Sequence, residues 1–143
     1  MGMRMAGAML AGWALAAACS ASGQTPAAPG AVTTPIVRTG TTVTGQPLRV
    51  PPAPFQLVVN RVEIPAGGII PTHKHPWSRY VYVEAGAIRV TNHDAGTVSD
   101  FAAGQVIVEA IGQWHEGRVI GNAPVRLIVF DQVPPGQTNV VRR

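Results

Sequence analysis

The sequence is poor in charge, in aromatics and in cysteine. Charged residues make up 13% of its 143 positions and aromatics 6%. The net charge is +4, but the arginines are scattered from Arg4 to Arg143, Lys74 is the only lysine, and Arg142 and Arg143 are the only adjacent cations. Without a basic stripe interleaved with aromatics, no nucleic-acid partner is expected. A lone cysteine, Cys19, cannot close an intrachain disulfide, so the fold must stand without one. No segment keeps a helical apolar period over three turns, which argues against a helical bundle. No apolar run is long enough to span a bilayer. The Ser-His-Asp order, the phosphate-binding glycine loop, the dinucleotide fingerprint and paired catalytic carboxylates are all missing, so nucleotide and hydrolase readings gain nothing.

What remains suits a single all-β domain. Hydrophobic residues reach 46%, with 16 Gly and 13 Pro, a composition of short strands and many turns. Strands are expected at Phe55 to Ile64, Tyr80 to Glu84, Ala87 to Thr91, Gln105 to Ala110, Trp114 to Ile120 and Val125 to Val133, all rich in Val, Ile, Tyr and Phe. Turn signals such as Pro65-Ala-Gly-Gly68, Ala85-Gly86 and Pro134-Pro-Gly136 separate them. The rhythm of about ten residues points to an antiparallel sandwich or barrel.

The N-terminus reads as an address. Arg4 precedes an apolar run from Met5 to Ala18, the pattern of a secretory signal over residues 1–23. Cys19 follows Leu15-Ala16-Ala17-Ala18, which resembles a bacterial lipoprotein cleavage box with Ala16 where Leu is usual; Ala21-Ser22-Gly23 offers an ordinary cleavage site instead. Export to the periplasm or medium is expected either way, and contact with a membrane only through a lipid on Cys19. Residues 24–54 read as a Pro/Thr/Gly-rich tether with edge strands at Pro35 to Val37 and Leu48 to Val50, residues 55–135 as the barrel, and 136–143 as a loose tail.

Three of the four histidines carry the chemistry. In an extended segment, residues i and i+2 share a face, so His73 and His75 can enter one cavity, and His115 from another strand can complete a site. Three neutral imidazoles suit a divalent transition metal (Zn, Fe, Mn, Ni or Cu) with positions left open for a ligand. A regular strand would also turn Trp77 and Arg79 inward with the histidines, and Tyr80, Tyr82 and Glu84 outward. Trp77 and Trp114 then become candidate pocket walls, and Arg79 a candidate ligand-binding residue. A guanidinium beside a divalent ion is costly unless an anion intervenes, so Arg79 is expected to hold an anionic group of the ligand or else to pair with Glu109 or Glu116. His93, in Asn-His-Asp-Ala-Gly, reads as a solvated turn residue, Glu116 should face away from His115, and Asp131 lies either near the pocket or at a strand end.

The spacing Gly67-x5-His73-x-His75-x3-Arg79-x6-Gly86, followed by Gly104-x5-Ala110-x-Gly112-x2-His115-x3-Val119, resembles the two motifs of the cupin superfamily. The resemblance covers about Phe55 to Val133. It implies a double-stranded β-helix, a jelly-roll-like barrel of two antiparallel sheets. It also implies a metal on His73, His75 and His115, a small-molecule ligand, and homodimers paired through sheet edges. Arg79 stands where the first motif normally has Glu, the fourth ligand in many members, and an arginine cannot ligate. Ala110 and Val119 replace the usual Pro and Asn. The superfamily includes dioxygenases, decarboxylases and isomerases as well as binding modules without turnover, and both classes stay open here.

Overall fold

The computed structural model describes residues 30–143, so the export signal of 1–23 and Cys19 lie outside the described residues. Among the described residues nine strands form: β1 (Gln56–Ile64), β2 (Ile69–Lys74), β3 (Arg79–Ala85), β4 (Ala87–Asn92), β5 (Thr97–Ala102), β6 (Val106–Val108), β7 (His115–Val119), β8 (Val125–Val133) and β9 (Val141–Arg142). They build a four-stranded sheet, β1-β8-β3-β6, and a five-stranded sheet, β5-β4-β7-β2-β9. Every ladder in both is antiparallel. This is the two-sheet all-β architecture that the turn rhythm predicts.

Alternation along the strands sets the interior. In β8, Val125, Leu127, Val129, Asp131 and Val133 are buried while the residues between them are not, the period-two signature of a sheet with one face on the core. Val83, Val125, Ile88 and Ile107 join Leu127 and Val129 in the apolar filling between the sheets. The glycines of both motifs, Gly67, Gly86, Gly104 and Gly112, all have positive φ and serve as turns. Gly86 is doubly required, because a Cβ there would sit 2.5 Å from the Pro124 carbonyl oxygen.

Three expectations need correcting. β5 and β9 form where no strand is expected, a polar edge strand and a two-residue one, and the strand expected to run from His73 through Arg79 is broken, β2 carrying Pro71 at a bulge and stopping at Lys74. The 136–143 segment is not loose, for β9 pairs with His73 and Lys74 of β2 and Asn139 is buried. Pro35 to Val37 and Leu48 to Val50 form no strand. The stretch between them instead buttresses the barrel: the Val43 N–H donates to the Val108 carbonyl at 2.8 Å. The Gln46 side chain receives the Ile111 N–H and donates to the Ile111 carbonyl, at 2.8 and 2.9 Å. That contact covers the free edge of β6 and braces the 109–113 loop, which polar Thr and Gln residues accomplish without extended pairing.

Candidate metal centre

His73 and His115 face each other across the β2–β7 ladder. The bulge between Ile70 and His73 sets this register, a common device for re-aiming a side chain. His75 lies just past the end of β2, bridged to Ile111. The three rings are 7%, 0% and 2% exposed for His73, His75 and His115, and their centroids stand 4.5 to 4.9 Å apart.

The hydrogen bonds fix the tautomers. His73 Nδ1 lies 2.7 Å from the Pro71 carbonyl, His115 Nδ1 2.9 Å from the Gln113 carbonyl, and His75 Nδ1 2.5 Å from the Asn139 carbonyl. A carbonyl oxygen only accepts, so each Nδ1 carries a proton, and in the neutral ring each Nε2 presents a lone pair. Nε2 of His75 and Nε2 of His115 then stand 3.2 Å apart with no proton between them. Two lone pairs held this close repel unless a cation joins them, and the separation matches the roughly 3.3 Å between two ligands at about 2.0 Å from a tetrahedral ion. Ligand atoms of all three histidines fall within 4.8 Å of one another. Burial, reinforced by the Arg79 charge, lowers the pKa of His73 to about 4 and of His75 to about 2. Both are neutral near pH 7, the state in which imidazole binds a metal.

A charged row crosses the opposite sheet. Arg79 sits opposite Asp131 in the β3–β8 ladder and gives it a bidentate pair, Nε to Oδ1 and Nη2 to Oδ2, both 2.7 Å. Asp131 Oδ1 also receives the Asn139 amide at 2.6 Å, and Asn139 Oδ1 accepts the Trp77 N–H at 2.9 Å. On the other flank, the Glu109 N–H donates to the Arg79 carbonyl at 3.0 Å. The Glu109 carboxylate is buried, and its Oε2 has no hydrogen-bond partner among the described residues while standing 3.4 Å from His115 Nε2. Burial pushes its pKa up, against the pull of His115 and Arg79.

A cavity of about 490 Å³ opens between the sheets. His73, His115, Arg79 and Glu109 form its polar end, and Val81, Ile88, Ile107 and Val129 its apolar walls. Val140, Arg142 and Arg143 of the C-terminal segment also line it.

Several sequence expectations are relocated. The partner of Arg79 is Asp131, neither Glu109 nor Glu116, because register places the aspartate directly across the ladder; the anion that offsets the guanidinium belongs to the protein. Trp77 does not line the histidine cavity. It borders a separate cavity of about 330 Å³ with Pro51, Pro52 and Pro76, since the strand stops at Lys74 and Pro76 breaks the parity on which the inward aim depended. Trp114 is outside the cavity too, its ring under the Lys74 ammonium at 4.6 Å. Tyr80 and Tyr82 pair laterally with Phe130 and Ile128, on the sheet face away from the cavity as parity requires. His93 and Glu116 approach each other at 3.6 Å on the surface, and Glu116 also borders the cavity. Asn139 is the member of the site that sequence reasoning missed altogether, and Glu109 figured there only as an alternative partner of Arg79.

The comparisons with known proteins agree with this geometry. The model of the cupin domain family matches residues 60–131, which contain all three histidines. The chain belongs to the cupin family. No curated protein matches it. Among solved structures, this cupin is similar to a conserved protein of Klebsiella pneumoniae with a double-stranded β-helix domain, at 24% identity over 60% of this chain and 69% of that one, TM-score 0.50. It is also similar to an oxalate decarboxylase of Lactobacillus farciminis solved with formate, at 26% identity, TM-score 0.53, over 60% of this chain and 26% of that one. A DMSP lyase of Ruegeria pomeroyi shares the fold at 22% identity, TM-score 0.52, over 60% of this chain and 42% of that one. The cupin thus matches only about a quarter of the decarboxylase chain.

Proposed function

We propose that His73, His75 and His115 hold one divalent transition metal, and that the cavity above them takes a small anionic or oxygen-rich organic molecule for metal-dependent turnover. The observation that carries this reading is the set of three Nδ1–H tautomers, each fixed by a backbone carbonyl, which leaves the Nε2 lone pairs converging. Imidazole accepts Zn, Fe, Mn, Ni and Cu alike. When bound, such an ion supplies Lewis acidity or a site for oxygen chemistry. The likeness to an oxalate decarboxylase in a formate complex supports a small carboxylate as the substrate class.

The chain's own residues bind and orient that molecule. Arg79 keeps its second amino group outside the Asp131 pair and lines the cavity, where it donates to an oxygen of the ligand. Its charge is balanced by Asp131, so it orients the ligand more than it attracts it. The apolar walls exclude water around the bound molecule and favour a small ligand. Export through the N-terminal signal and pairing into a homodimer complete the proposal, to be checked by cell fractionation and by light scattering.

The test is elemental analysis of the protein purified without added metal or chelator, beside His73→Ala and His115→Ala. One transition-metal ion per chain in the wild type, lost in both variants, is expected. A wild type that arrives empty and takes up none of the five metals on titration contradicts the reading.

A further inference from the structure

We infer that Glu109 is a fourth protein ligand of the ion on His73, His75 and His115, supplying from the residue after β6 the carboxylate that related motifs place at position 79. The inference rests on the metal reading above and deepens it.

Glu109 Oε2 is buried, has no hydrogen-bond partner among the described residues, and lies 3.4 Å from His115 Nε2. That nitrogen has no proton to offer, because the His115 proton is on Nδ1 toward the Gln113 carbonyl. In its ionised form the carboxylate therefore aims an acceptor at an acceptor. The same relation holds between the Nε2 atoms of His75 and His115 at 3.2 Å. Three acceptor atoms brought together with donors directed elsewhere describe the inner surface of a cation site. A carboxylate oxygen joins imidazoles around a divalent ion at about 2.0–2.2 Å, so the Glu109 side chain, in reach of His115 but outside the three-histidine cluster of the metal-free chain, closes on the ion when it binds.

The substitution at position 79 fits this assignment. Val108 pairs with Tyr80 across the β3–β6 ladder, and the Glu109 N–H donates to the Arg79 carbonyl. Residue 109 is thus the lateral neighbour of residue 79, one strand over. Arg79 makes no hydrogen bond to Glu109 Oε2, and two of its donors go to Asp131 on the opposite strand. Position 109 thus offers a carboxylate one ladder away from position 79, whose arginine is balanced by Asp131 on the far side. The 109–113 loop is braced for the role by the Gln46 clamp on Ile111.

A carboxyl with a merely structural role would tolerate an isosteric amide, and a ligand would not. The experiment is Zn(II) affinity by competition with a chromophoric chelator, for the full-length wild type and Glu109→Gln. We expect the variant to bind Zn(II) at least about tenfold more weakly, the scale on which metal-site partners act, while its metal-free thermal midpoint does not fall. A folded variant with unchanged affinity overturns the inference and leaves the three-histidine site standing. A wild type that binds no Zn(II), nor Fe, Mn, Ni or Cu, overturns the metal reading and this inference together. If Glu109→Gln does not fold, the crystal structure of the Zn-loaded wild type decides: a Glu109 oxygen within about 2.2 Å of the ion supports ligation, and an ion held by the imidazoles with Glu109 outside its shell overturns it.

Discussion

The five-stranded sheet brings its buried imidazoles to the cavity, His73 and His115 on the paired strands β2 and β7, with Glu116 and Arg142 at the cavity border. The four-stranded sheet meets it with charge: Arg79 and Asp131 on β3 and β8, and Glu109 just beyond β6. The two halves are built by different rules. Each imidazole of the first needs one local partner, and both His73 and His115 find it in the carbonyl two residues earlier. Arg79 and Asp131 cannot be buried singly, so they pair across the β3–β8 ladder and recruit Asn139 as well. His73 and His115 are set by local sequence, whereas the buried charges, like His75 on the Asn139 carbonyl, require long-range register.

The largest effect should come from breaking the charged half. Asp131→Ala leaves the Arg79 guanidinium, only 16% exposed in its side chain, without its carboxylate, and should cost about 3–5 kcal/mol by urea unfolding. Adding Arg79→Met to that variant should recover much of the loss, because a well-packed apolar pair removes the uncompensated charge. If the single variant is as stable as the wild type, the row is not a unit.

Acid comes next, and it acts on the neutral half. In the metal-free protein, His73 and His75 titrate near 4 and 2 when folded, against 6.5 when exposed. Between pH 6.5 and about 4 the unfolded chain binds more protons at these sites, so stability should fall as pH drops through that window. Glu109, with its pKa raised by burial, works in the opposite sense, but one carboxyl against two imidazoles leaves a net loss on acidification. Denaturant titrations at several pH values check the slope, and a flat profile would contradict the burial argument.

The two halves share Asn139, whose carbonyl holds His75 and whose side chain holds Asp131. Asn139→Ala keeps the carbonyl and should cost about 1–3 kcal/mol. A chain ending at Gln137 loses the carbonyl too, and its metal affinity should drop about 10- to 100-fold. Chelator competition on both forms separates the roles.

The smallest effect calibrates the rest. Arg89 and Asp100 form a bidentate pair at the same 2.7 Å distances as Arg79 and Asp131, but their side chains are 50% and 49% exposed. Arg89→Ala should leave the unfolding midpoint unchanged within error. A loss matching that of Asp131→Ala would show that geometry, and not burial, sets the energy.

Legibility in the sequence follows the same division. His73, His75 and His115 were readable because an i, i+2 pair and turn glycines at fixed spacing are local signals. The two-sheet fold was readable from strand rhythm, and the β8 boundaries at Val125 and Val133 coincide with the expected ones. Trp77 was misplaced because parity was carried through Pro76, where the strand stops. Asp131 was left undecided and Asn139 was missed because each depends on which strand lies beside it, and that is set by three-dimensional register. β5 and β9 were overlooked for lack of an apolar alternation, being a polar edge and a two-residue strand.

The central claim is that three Nδ1–H imidazoles present their Nε2 atoms to one ion. Long-range proton–nitrogen correlation spectra of the histidine side chains, recorded without metal and during Zn(II) titration, test it most directly. The expected result is the Nδ1–H tautomer at His73, His75 and His115 in the metal-free protein, with their Nε2 resonances shifting together and saturating at one equivalent of Zn(II). Nε2–H tautomers at these positions, or Nε2 resonances indifferent to excess Zn(II), would contradict it.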